Sequence, residues 1–138
     1  MKTFKLDIVS AEKALFTGVV QRISASGLLG DLGIEFGHSP LLSPLKPGQV
    51  ILVHESGVHG YFYISGGVLE VQADQVTILA DTCIRGEELD EAAAEAARQA
   101  AEDQLSKGGD VDYSKVLSEL AQAAAQLRMI KELKEARR

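Results

Sequence analysis

Scarcities in this 138-residue chain narrow its chemistry before any motif is read. A single cysteine, Cys83, rules out an intrachain disulfide and argues against a cysteine-based metal site. It is expected to be a small buried residue beside a strand. Asparagine is absent altogether, so N-linked glycosylation has no acceptor. No apolar run approaches the ~18 residues that a membrane-crossing helix needs. The opening Met1–Asp7 alternates apolar and charged residues where a signal peptide would carry an apolar segment. A cytoplasmic, water-soluble protein is therefore expected, one still able to dock on a membrane complex. Net positive charge is missing too: the formal charge of −6 opposes nucleic acid as the main partner. With 46% hydrophobic and 25% charged residues, the chain is neither disordered nor membrane-embedded.

What is present falls into two halves, 1–85 and 86–138. In the first, Phe4, Leu6 and Ile8 alternate with Lys5 and Asp7, as in a half-buried strand. Further β-rich runs occupy Val19–Ile23, Val50–His54, Tyr61–Ser65, Val68–Val71 and Val76–Ala80, with the three prolines between or beside them. Short strands without intervening helical pattern predict an antiparallel β-sandwich or barrel. After Gly86 the spacing becomes helical: Leu89, Ala93, Ala96 and Ala100, then Val116, Leu120, Ala123, Leu127 and Ile130. Gly108-Gly109 separates the two series and predicts an antiparallel two-helix hairpin, its second helix capped by Asp110 or Asp112. The fold class is thus α+β, a sandwich followed by a hairpin. Alanine is the best helix former, but an alanine seam buries little apolar area. Such helices could part without melting, or the hairpin could pack permanently on the sandwich.

Charge is sorted along the hairpin. Glu87, Glu88, Asp90 and Glu91 gather at its start, and Arg128, Lys131, Lys134, Arg137 and Arg138 at its end, each where the helix dipole favours it. Five bases against two acids over residues 128–138 exceed what capping requires. They form either a solvated face or a docking site for an acidic surface.

Catalytic motifs are missing. There is no phosphate-binding loop, and Gly27–Gly33 has the wrong glycine spacing for a dinucleotide fingerprint; it is expected to be a flexible turn. His54 and His59 are expected at an exposed hairpin tip, and His38 in a loop before Ser39-Pro40. Two neighbouring histidines without a third ligand do not make a metal site. No catalytic residue, metal site or cofactor is expected.

Four segments carry a resemblance. The stretch from Gly30 to Leu42 (GDLGIEFGHSPLL) closely resembles the G-x-L-G-I-x-x-x-H-x-P-L-L signature of bacterial F-type ATP synthase epsilon subunits. Tyr63–Val71 and Ala80–Arg85 match two further signatures, and Leu6–Glu12 is similar to the family's start. With Gly108-Gly109-Asp110 joining two Ala-rich helices, the resemblance spans essentially the whole chain.

The resemblance implies a non-catalytic subunit on the cytoplasmic face of the inner membrane, peripheral and held there through its complex. Its sandwich would bind the central gamma stalk and rest on the c-subunit ring, coupling ring rotation to the catalytic head. Leu28, Leu29, Gly30, Asp31 and His38 occupy positions matching the family's ring- and stalk-facing surface. Leu28-Leu29 stand where polar residues are common, and an exposed Leu pair implies a partner. The hairpin would be regulatory. Extended into the head, its basic residues Arg128, Lys131, Lys134, Arg137 and Arg138 would meet acidic segments of the alpha and beta subunits and hinder ATP hydrolysis. Some relatives bind ATP through an I/L-D-x-x-R-A motif. Here Leu89 and Asp90 match it, but Ala93 replaces the arginine and removes the guanidinium that could pair with phosphate. Weak or absent ATP binding is expected. The alternatives are a purely structural coupling subunit and a nucleotide-sensing hairpin.

Overall fold

The computed structural model describes residues 2–136, which leaves Arg137 and Arg138 of the basic end outside the described residues. The chain divides between Glu87 and Glu88 into two compact units.

The first unit is a β-sandwich of eight strands: β1 (Phe4–Ser10), β2 (Ala14–Gly27), β3 (Gly30–Glu35), β4 (Leu41–His54), β5 (His59–Ile64), β6 (Gly67–Val71), β7 (Gln75–Ala80) and β8 (Cys83–Arg85). Their order is β3-β2-β1-β7-β6-β4-β5-β8, and β2 also pairs with β4, so the sheet closes on itself. All pairings are antiparallel except β1 with β7. The period-two pattern explains the core. Phe4, Leu6 and Ile8 of β1 point inward, and their partners Val20 and Ile78 are buried with them. Ile23, Ile34, Val50, Leu52, Phe62, Ile64 and Leu69 complete the same cluster.

Three details differ from the sequence-based expectation. Gly27–Gly33 is not a flexible turn: β2 runs to Gly27, only Leu28-Leu29 turn, and Gly30–Glu35 is strand β3. Gly30 and Gly33 weaken the local strand signal, and pairing with β2 overrides it. The β8 strand also carries too short a run to announce itself. Lastly, Pro44 and Pro47 lie within β4 instead of beside a strand. Pro47 falls where β4 leaves β6 (last partner Leu45) and takes up β5 (first partner Gly48), a break in the ladder that spares a donor.

The signature residues lock the turns. Thr82 donates from its hydroxyl to Ser65 Oγ (2.7 Å) and from its backbone N–H to the same oxygen (3.0 Å). Arg85 donates to the Leu15 carbonyl (3.0 Å), with its guanidinium over the Phe62 ring.

The second unit is a helical hairpin. After a single 3-10 turn at Gly86–Glu88, α1 spans Glu91–Lys107 and α2 spans Tyr113–Ala136. Asp90 caps α1, its carboxylate accepting from Ala93 N (3.1 Å), and Asp112, not Asp110, caps α2 by accepting from Lys115 N (3.1 Å). Gly108 and Gly109 both take positive φ between them. The α2 periodicity holds, with Val116, Ala123 and Ile130 buried. In α1 the phase is one residue away from the expected one. Ala94 and Ala101 are buried, with Arg98 and Leu105 half-buried beside them, whereas Ala93, Ala96 and Ala100 are exposed. Alanines at nearly every position fit more than one phase, and Leu105 is the single large residue that marks the true seam.

The adjacent pair Ile78-Leu79 separates core from surface within one strand, since Ile78 is fully buried and Leu79 is 54% exposed. Ile78→Ala is expected to cost about 2–5 kcal/mol in urea titrations, and Leu79→Ala no more than about 0.5 kcal/mol. Equal losses would contradict the inside–outside assignment.

Candidate functional site

The exposed Leu pair stands at the tip of the β2–β3 hairpin. Gly27 pairs with Gly30, leaving a two-residue loop. The favoured two-residue turns need positive φ at one or both central residues, yet among the described residues only glycines have positive φ. The flanking glycines absorb the distortion: Gly30 takes a φ of 140°, and a Cβ on Gly27 would sit 2.5 Å from the Gly30 carbonyl. Leu28 is 59% exposed and Leu29 fully so. Asp31 follows, also exposed. The backbone N–H of Leu28 donates to the Pro44 carbonyl (3.2 Å), and a hollow of about 350 Å³ lies between this turn and Ser43-Pro44.

From Pro44 the apolar surface continues. Register places Ala14, Val9, Leu79, Val68 and Pro44 opposite one another in a single row across β2, β1, β7, β6 and β4. All five point away from the core, because their sequence neighbours Leu15, Ile8, Ile78, Leu69 and Leu45 point into it. At a strand spacing of about 4.8 Å the row is about 19 Å long. Leu42, 68% exposed, stands on the same face in the next row, opposite Glu70. Sequence reasoning missed this row. Its signal was present in the doublets Ile8-Val9, Val68-Leu69 and Ile78-Leu79, which break strict alternation and mark strands apolar on both faces.

His38 is not part of this surface. It lies beyond the far end of β3, so six strand residues, about 20 Å, separate it from the Leu28-Leu29 turn. Its Nδ1 is 2.7 Å from the Ser39 carbonyl and its backbone N–H donates to the Glu35 carbonyl. There it edges a groove of about 640 Å³ on the outer face of β3, β2, β4 and β5. Two cross-strand rows floor the groove: Gly33, Ser24, Ile51, Tyr61, and Glu35, Arg22, Val53, His59. The five expected contact residues thus separate into Leu28–Asp31 at one end of β3 and His38 at the other.

On the hairpin, Arg128, Lys131 and Lys134 are exposed and recur every three residues along one side of α2. Lys134 is engaged: its ammonium pairs with the Glu91 carboxylate at the start of α1. Leu89 is half-buried and Asp90 uses its carboxylate to cap α1.

Among the described residues no cluster of three His, Cys, Asp or Glu side chains could hold a metal, and no helix is long and apolar enough to cross a membrane. His54 is half-buried against Phe16 (ring centroids 5.6 Å apart), and only His59 is exposed at that hairpin, stacked on Tyr61. Cys83 is half-buried within β8. Burial pushes its thiol up to about 11, against the opposing pull of Arg85 and Lys13.

Residues 3–86 match the family model of the ATP synthase delta/epsilon chain β-sandwich domain, and residues 87–131 that of its long α-helix domain. An ATP synthase epsilon chain from Chromohalobacter salexigens is 52% identical over 136 residues, 98% of this chain and 96% of that one. Two solved structures share the fold. One is a chain of the Euglena gracilis mitochondrial ATP synthase, determined with OSCP, F1 and the c-ring (TM-score 0.75, 20% identity, 99% of this chain and 82% of that one). The other belongs to the central stalk and c-ring of the Tetrahymena thermophila mitochondrial enzyme (TM-score 0.61, 19% identity, 96% of each chain).

The raised thiol pKa has a direct consequence. At pH 8 the folded chain should hold about a hundredth of the thiolate of an unhindered cysteine, so iodoacetamide should label Cys83 about a hundredfold more slowly than in urea. Equal rates in the two states would contradict the burial of this thiol.

Proposed function

The chain belongs to the family of ATP synthase epsilon chains, and on that premise we propose that it is a non-catalytic central-stalk subunit that couples c-ring rotation to the catalytic head and restrains ATP hydrolysis through its helical hairpin. The observation that carries the coupling role is the apolar surface running from Val9 through Leu79, Val68 and Pro44 to the Leu28-Leu29 turn. In a protein with net charge −6, Leu79, Pro44, Leu28 and Leu29 are exposed along this surface, with Val9 and Val68 half-buried between them, which is surface in want of a partner. The sheet row suits the gamma subunit. The Leu28-Leu29 tip and Asp31 protrude and suit the loops of the c-ring, while His38 and its groove offer a separate contact to the stalk. In this reading the chain sits at the membrane surface peripherally, through its partners.

The restraining role rests on α2. Arg128, Lys131 and Lys134 form an exposed basic stripe, which Arg137 and Arg138 extend in sequence, and its complement is an acidic face on the alpha and beta subunits. ATP is a poor candidate for the hairpin's controlling ligand. Ala93 offers no guanidinium, and Asp90 is committed to the α1 cap beside Glu91.

Two measurements test these roles. Deleting residues 128–138 should raise ATP hydrolysis by the purified complex, most at low ionic strength, where charge pairing is strongest; unchanged activity at every salt concentration would remove the restraining role. Leu28→Ser with Leu29→Glu should leave the subunit folded, since both side chains are exposed, and should weaken assembly and proton-coupled synthesis. Normal coupling in that variant would remove the ring contact.

A further inference from the structure

The two helices of the hairpin are joined by unequal means along their length. At one end the chain itself connects them through Gly108-Gly109. Along the middle α1 buries only small residues, Ala94 and Ala101, while α2 buries Val116, Ala123, Ala125, Met129 and Ile130. An alanine contact buries little area and holds weakly. At the open end, Glu91 in the first turn of α1 pairs with Lys134 in the last turn of α2, 43 residues away. Among the described residues this is the only ion pair that links the helices. The other two, Arg98–Glu95 and Arg98–Glu102, lie within α1 and would survive separation unchanged.

From this arrangement we infer that Glu91–Lys134 is a clasp that holds the hairpin closed and keeps Lys134 from its partner. The inference rests on the restraining role proposed above and assigns its control. Lys134 belongs to the basic stripe that would meet the acidic face of the head, and its ammonium cannot serve Glu91 and a distant carboxylate together. The helix dipoles favour both members where they stand, an acid at an N-terminus and a base at a C-terminus. Removing Glu91 therefore frees Lys134 without removing any basic charge. Asp90, which caps α1, is untouched, and α1 loses no backbone hydrogen bond. Side-chain exposures of 62% for Lys134 and 55% for Glu91 make this a surface pair. Such a pair shifts an equilibrium by about two- to fivefold, and less as salt rises. That range suits a clasp which must open under partner competition, where a buried pair would not.

The test uses the assembled complex carrying Cys83→Ser with Ala92→Cys and Glu135→Cys, spin-labelled at the last two positions, both exposed and near the open end. Pulsed dipolar spectroscopy reads the fraction of hairpins with separated ends, and hydrolysis is assayed in parallel without labels. Glu91→Gln should raise the separated fraction about two- to fivefold at low salt and deepen the restraint on hydrolysis. Lys134→Gln should raise the separated fraction equally but weaken the restraint. The exchanged pair, Glu91→Lys with Lys134→Glu, should return the distances to those of the parent. Unchanged distances in Glu91→Gln would overturn the clasp, whatever hydrolysis does. Shifted distances with unchanged hydrolysis would support the clasp and overturn the restraining role on which its purpose depends.

Discussion

Two long strands close the sheet, and the rest of the first unit depends on that closure. Both β2 and β4 are 14 residues long, and each pairs with the other and with neighbours on either side. Closure removes open edges from the middle of the sheet and leaves only β3 and β8 at its ends. It also encloses the cluster around Leu6, Ile8, Leu52 and Ile78, so that no α-helix is needed to complete this core. The register shifts in β2, between Val20 and Arg22 and between Ala25 and Gly27, let one strand turn from β1 toward β3 while keeping β4. The second of these shifts leads directly into the Leu28-Leu29 turn. The same geometry that closes the core therefore aims the exposed pair.

Closure has a further consequence for the outside. A sheet whose inner face is full turns every alternate residue outward, and a protein built only for stability would make the exposed ones polar. The rows differ. Thr17, Asp7, Thr77, Glu70 and Leu42 form a mostly polar row, while the next is apolar throughout, from Ala14 to Pro44. Folding does not require the second row, since the core is complete without it. The proposed association accounts for its composition, and the Leu28-Leu29 turn beside Pro44 extends it. The hairpin follows the opposite logic: its helices are well capped and rich in alanine, so each is a strong helix, while α1 buries nothing larger than Ala94 and Ala101.

Much of this was legible in the residues. Strand alternation at Phe4, Leu6 and Ile8 located β1 and its inward face, and Val116, Ala123 and Ile130 located the α2 seam. The α1 seam was not legible, because alanines at successive positions carry no contrast and only Leu105 records the phase. The β3 strand was hidden by Gly30 and Gly33, whose conformation is imposed by β2. The separation of His38 from Leu28–Asp31 was hidden for the same reason: once Gly30–Glu35 is extended, residues close in sequence stand at opposite ends of a strand. The apolar row was written in the doublets Ile8-Val9, Val68-Leu69 and Ile78-Leu79, but its continuity depends on register, which no single segment contains. The Glu91–Lys134 pair likewise joins residues that only the hairpin brings together.

In the proposed function, the sandwich is a coupling piece whose outer row and turn are covered in the assembled enzyme, and the hairpin is a separable, charge-controlled arm. The most direct test of that central claim is hydrogen exchange by mass spectrometry on the free subunit and on the intact ATP synthase. The account predicts that the β6–β7 segment around Val68 and Leu79 and the Leu28-Leu29 turn gain strong protection on assembly. Exchange at both segments as fast in the complex as in the free chain would contradict it.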